Sequence, residues 1–143
     1  ALPAPVRSLQ VESLAAVPPG ASRAVIEGVS FTLEAGDGLG IIGPSAAGKT
    51  TLVRMLVGLW EPAAGAVRLD GASLDQWDPD DLGRHLGYLP QQVELFDATI
   101  AQNIARMEPA APSEAVIAAA EAAGVHDMVV RLPEGYDTQV GSN

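Results

Sequence analysis

The eight residues Gly43-Pro44-Ser45-Ala46-Ala47-Gly48-Lys49-Thr50 constrain this chain more than any other feature. They follow the order glycine, four residues, glycine, lysine, threonine. A short apolar run, Gly38 to Ile42, precedes them, and a helical pattern of Thr51, Leu52, Met55, Leu56 and Leu59 follows. A strand, a glycine-rich turn and a helix N-terminus in that order make a phosphate-binding loop. Successive main-chain N–H groups and the positive end of the helix dipole meet at one point, where concentrated negative charge is favoured. Lys49, the chain's single lysine, would set its ammonium against the β- and γ-phosphates. The Thr50 hydroxyl would take one position on a bridging magnesium, and Thr51 would add a donor. Ala46 and Ala47 stand where such loops often carry glycine and a small polar residue, which leaves the donors there to the backbone.

The remaining elements arrange themselves around this loop. Ser8 to Leu14 alternates as a half-buried strand, Pro18-Pro19-Gly20 is a loop, and Ala24 to Glu34 is again strand-like, turning at Glu34-Ala35-Gly36-Asp37. Two antiparallel strands are expected. Glu61 to Gly65 should end the helix after the loop, Ala66 to Leu69 forms a brief strand, and Asp70-Gly71 turns. Asp78, Pro79, Asp80 and Asp81 supply a cap, a first-turn proline and dipole-matched charge for a helix over 79–86. Gly87 to Pro90 is expected to be a strand, and 99–107 and 113–123 to be helices.

Composition narrows the function classes. The formal net charge is −10, and seven scattered arginines form no basic stripe, so nucleic acid is not an expected partner. With no cysteine, disulfides, thiolate metal sites and thiol nucleophiles are excluded. No segment approaches 18 uninterrupted apolar residues, so the chain is expected to be soluble by itself. Asp75, Asp78, Asp80 and Asp81 read as capping and solvated residues rather than a metal cluster. His85 and His126 read as helix-boundary residues, and Trp60 and Trp77 as packing groups.

Three stretches carry a family resemblance: Gly40-Ile41-Ile42 leading into the loop, Gly87-Tyr88-Leu89-Pro90-Gln91-Gln92-Val93-Glu94-Leu95-Phe96, and Thr99-Ile100-Ala101-Gln102-Asn103-Ile104-Ala105-Arg106. Through them the chain resembles the nucleotide-binding domain of ABC transporters, and most of all the bacterial type I secretion ATPases that export proteases and lipases. The resemblance implies an α/β fold of the P-loop NTPase, ABC type. It would comprise an antiparallel β-subdomain (1–37), part of a parallel-sheet core through the glutamine loop (38–97), and the start of a helical subdomain (98–143).

By the same resemblance the loop binds ATP with Mg2+. Gln91, with Gln92 as fallback, contacts magnesium and the attacking water, so Gln91 and Lys49 are the expected catalytic residues, and Thr50 and Gln91 the magnesium ligands. Val93 to Phe96 would meet a membrane-spanning domain, and a second nucleotide-binding domain would complete a homodimer at the cytoplasmic face of the bacterial inner membrane. Val17 and Pro18 stand where the family stacks an aromatic on adenine, so selection of ATP over GTP should be weak. Residues 133–141 resemble the segment just before the family's signature. The signature itself and the residues that polarise water are not in the sequence, so these 143 residues are expected to bind ATP without hydrolysing it. The alternatives are an ABC exporter of lipids or drugs, a P-loop ATPase or kinase unrelated to transport, and a non-catalytic interaction module.

Overall fold

The computed structural model describes residues 1–45 and 47–141. The chain divides into two compact units, residues 1–88 and 89–143.

The first unit is built on β1 (Ser8–Ala16), β2 (Ile26–Glu34), β3 (Ala64–Leu69) and β4 (Ala72–Ser73), in the sheet order β2-β1-β3-β4 with every pair antiparallel. The antiparallel sheet thus draws on residues 64–73 as well as on the N-terminal hairpin. Val11 lies opposite Phe31 on one side and Val67 on the other. Val11 and Leu14 are three apart, so an unbroken strand would point them to opposite faces. Both are buried, because the register shifts between them at Ser13, whose φ is +45° and whose N–H donates to Ser30 Oγ at 2.8 Å. Across the sheet, Gly65 (φ +79°) fits the same irregularity, since a Cβ there would lie 2.2 Å from the Glu12 carbonyl oxygen.

Helix α1 (Lys49–Leu56) lays Leu52 and Met55 onto this sheet, in one core with Val11, Leu14, Ala16, Ile26 and Val67. It ends earlier than the apolar pattern suggests. Gly58 (φ +78°) donates to Met55 O at 3.2 Å and Leu59 donates to Arg54 O at 2.9 Å, a double bond pattern that closes the helix at a left-handed glycine. Leu59 therefore lies outside the helix and is exposed, while Trp60 packs on the core with the Arg54 guanidinium 5.1 Å from its ring. Helix α2 (Pro79–His85) starts as its sequence requires, with Asp78 Oδ1 accepting from Asp80 and Asp81 N–H at 3.0 and 3.2 Å.

Two expected strands are not formed. Residues 38–42 and 87–90 have no ladder partner among the described residues, and Ile42 is 96% exposed. An apolar run of this kind becomes a strand only when neighbours take up its N–H and C=O groups, which is a non-local property.

In the second unit, α3 (Ile100–Ile104), α4 (Ser113–Ala122) and α5 (His126–Val130) bury Val116, Ala120 and Val129. A two-stranded ribbon of β5 (Ala98–Thr99) and β6 (Gln139–Val140) closes it, and Ile100 N–H adds a bond to Thr138 O at 3.0 Å. Thr99 and Gln102 form a reciprocal cap on α3: Gln102 N–H donates to Thr99 Oγ1 at 3.1 Å and Thr99 N–H to Gln102 Oε1 at 2.9 Å. His126 Nδ1 meets the Tyr136 hydroxyl at 2.6 Å.

Candidate functional site

The residues from Gly43 to Thr51 are brought together at the N-terminus of α1, save Ala46, which lies outside the described residues. Gly48 is the N-cap, at φ 90° and ψ 9°, with no side chain capping the helix and no acidic residue in its first turn. The first-turn N–H groups of Lys49, Thr50 and Thr51 precede any intrahelical acceptor, so they face outward with the dipole behind them. The conformation at Gly48 is required by packing as well as by φ. A Cβ there would fall 3.0 Å from Ile26 Cγ1 and 3.1 Å from Val25 O, at the start of β2.

Ala47 N–H donates to Pro44 O at 3.2 Å, closing the turn through Ser45. The Lys49 ammonium folds back across this turn. It donates to Gly43 O and, at 2.7 Å, to Pro44 O, and among the described residues no carboxylate lies within ion-pair distance of it. Gly43 leaves the room this needs, since a Cβ there would stand 3.3 Å from Ala47 Cβ and 4.0 Å from the ammonium itself. One cation with no carboxylate beside it among the described residues and the first-turn amides of α1 thus share one turn. Chemically this is a seat for a polyanion such as a di- or triphosphate. Thr50 is exposed and Thr51 half-buried on the first turn of the helix.

Gln91 and Gln92 belong to the second unit, in an exposed bend at its start. Val93, Leu95 and Phe96 follow with 60%, 52% and 68% of their surfaces exposed, an apolar segment on a loop. Its main chain is nevertheless tied down. Asn103 Oδ1 accepts from Phe96 N–H at 2.9 Å, and Asn103 Nδ2 donates to Phe96 O at 3.1 Å and Thr99 O at 3.0 Å. Sequence reading passes over Asn103, because nothing in the residue order says that an asparagine on α3 reaches back seven positions. Asp70 is likewise more than a turn residue. Its carboxylate accepts from the N–H groups of Val6, Arg7 and Ser8 at 2.7–2.8 Å. These bonds, led by those from Val6 and Ser8, hold its carboxyl below the usual carboxylate range. A groove of about 310 Å³ runs beside this clamp between Pro5 and His85, and no residue of the phosphate-type loop lines it.

The family model described as ABC transporter matches residues 26–140, which include both the cradle and the apolar loop. The chain belongs to the ABC transporter family. Among ABC transporter relatives, the Type I secretion system ATP-binding protein PrsD of Rhizobium meliloti (strain 1021) is 58% identical over 140 residues, covering 98% of this chain and 24% of the relative. ATP-binding cassette sub-family B member 6 of Homo sapiens is 43% identical over 119 residues, covering 83% of this chain and 14% of the relative. A solved bacterial Atm1-family ABC exporter with ATP bound superimposes with a TM-score of 0.86 at 36% identity, covering 99% of this chain and 25% of that one. The chain therefore has the α/β fold of an ABC exporter's nucleotide-binding domain in part, and it spans about a quarter or less of the relatives it matches.

Proposed function

We propose that this chain is the Mg–ATP-binding part of the motor domain of an ABC exporter, and that the exporter serves type I protein secretion. The observation that carries this reading is the cradle itself: Gly48 left-handed at the N-cap of α1, with the Lys49 ammonium turned onto the Gly43 and Pro44 carbonyls and no carboxylate within ion-pair distance of it among the described residues. A triphosphate fits these donors. The amides from Gly48 to Thr51 and the Lys49 ammonium would hold the phosphates, and the Thr50 hydroxyl and the Gln91 amide are the side chains that would ligate magnesium. Magnesium, when bound, neutralises charge on the β- and γ-phosphates during transfer. In the intact exporter Gln91 would orient the attacking water and Lys49 would stabilise the transferred phosphoryl group, while these 143 residues by themselves bind without hydrolysing. In this scheme residues 1–37 begin the antiparallel part, which β3 and β4 join from within 38–97, the rest of 38–97 is the core through the glutamine loop, and 98–143 is the start of the helical subdomain.

The exposed Val93, Leu95 and Phe96 suit contact with a membrane-spanning domain of the same exporter. The relatives' three-quarters of further length gives room for such a domain. A second copy of this domain pairs with it at the cytoplasmic face of the bacterial inner membrane. Protein export rests on the 58% identity to a type I secretion component; the relatives of sub-family B member 6 and the Atm1-family structure favour a second reading, an exporter of another substrate class.

Titration of the chain with Mg–ATP tests the binding reading. Lys49→Ala removes a charge-assisted contact of about 1.5–3 kcal/mol, or about 10- to 150-fold in affinity, with helical circular dichroism unchanged. Equal affinities for the two proteins reject the assignment.

A further inference from the structure

The apolar loop before α3 presents a physical contradiction. Val93, Leu95 and Phe96 are mostly exposed, yet the main chain of Phe96 is saturated by one side chain. A loop whose apolar residues merely failed to find the core would be mobile, because nothing would offset the entropy of ordering it. Here Asn103 uses its whole amide, accepting from Phe96 N–H and donating to Phe96 O and Thr99 O. Asn103 is itself held on α3, whose N-terminus is closed by the Thr99–Gln102 cap. From the other side, Gly141 (φ +110°) lies so close that a Cβ there would meet Asp97 Cα at 2.5 Å and Phe96 O at 2.6 Å. Gln139 Nε2 also donates to Asp97 Oδ1 at 3.3 Å. The apolar segment is thus exposed and ordered at once, which is the condition of a preformed contact surface.

We propose that Asn103 is a positioning residue that holds Leu95 and Phe96 in the shape their membrane-spanning partner receives. This rests on the docking reading given above. Asn103 acts through the Phe96 peptide group, to which both ends of its amide are bonded.

Thermolysin, which cleaves before exposed leucine and phenylalanine, tests this at two levels. In the 143-residue chain, Asn103→Ala should raise cleavage before Leu95 and Phe96 by about tenfold, because the two bonds that fix the Phe96 peptide group are lost. Hydrogen exchange of the Phe96 amide should accelerate alongside, while Mg–ATP affinity stays as it was. Asn103→Asp keeps the acceptor for Phe96 N–H and should fall between the two. In the full-length exporter in lipid nanodiscs, the native loop should resist cleavage and Asn103→Ala should expose it, with KM for ATP within about twofold. Unchanged cleavage and exchange in Asn103→Ala overturn the positioning role, as does a loss of protection spread evenly over α3 and α4. Native full-length protein that is cut as fast as the 143-residue chain overturns the docking reading instead, and with it the purpose assigned to Asn103.

Discussion

Gly48 lies against Ile26: a Cβ at Gly48 would come within 3.0 Å of Ile26 Cγ1, where the second strand begins. The phosphate-type loop is therefore seated against the start of β2, and a methyl group at Gly48 would have to push Ile26 and Val25 aside. Gly48→Ala combines that overlap with a left-handed φ, so it should destabilise the fold by about 1–3 kcal/mol. The displaced first-turn amides should weaken Mg–ATP binding by at least about tenfold. Calorimetric titration beside thermal denaturation checks both, and a variant with native affinity would show that these amides do not meet the nucleotide.

Asp70 makes stability depend on pH in a stated direction. Its carboxyl is depressed in the folded chain by the Val6, Ser8 and Arg7 amides, so the charged form is favoured by folding. Its contribution is complete above the unfolded value of about 3.9 and is lost as pH falls through the lower folded value. Asp70→Asn, which suits the left-handed backbone there (φ +52°) as aspartate does, should lower the thermal midpoint at pH 7 and approach the native protein as the pH falls below about 4. A constant gap between the two proteins across that range would show that the carboxylate's charge is not what the three amides recognise.

Gly65 gives the sharpest packing test. A methyl group there would sit 2.2 Å from Glu12 O and 2.4 Å from Ser13 O, both main-chain atoms that cannot swing aside. Gly65→Ala should cost about 3 kcal/mol or more, with left-handed strain added to the overlap. Urea denaturation reads it directly. A loss under about 1 kcal/mol would mean that the bulge in β1 relaxes freely.

What could be read from the residue order was what depends on near neighbours. The loop from Gly43 to Thr50 is contiguous, so its place at a helix N-terminus follows from eight letters. The cap at Asp78 and the alternation of the first two strands are local for the same reason. Most of the misses are long-range. Residues 38–42 have strand composition without a ladder partner among the described residues. Leu59 is a local miss: it continues the helical period past Gly58, whose left-handed turn ends the helix. The burial of both Val11 and Leu14 depends on a bulge that alternation cannot encode. Strands of two residues and a helix of five, such as β5, β6 and α5, are too short for any period to register. Asn103 escaped because its partners are peptide groups, which every residue possesses and no motif names.

The brevity of α1 has a thermodynamic corollary. Eight residues are too few for a helix to persist in water unaided, so α1 exists because Leu52 and Met55 are clasped by the strands. Whatever anion occupies its tip must then tighten the whole hydrophobic sandwich beneath it. Conversely, a lesion deep among Val11, Leu14 and Val67 will surface as a binding defect at a loop it never touches.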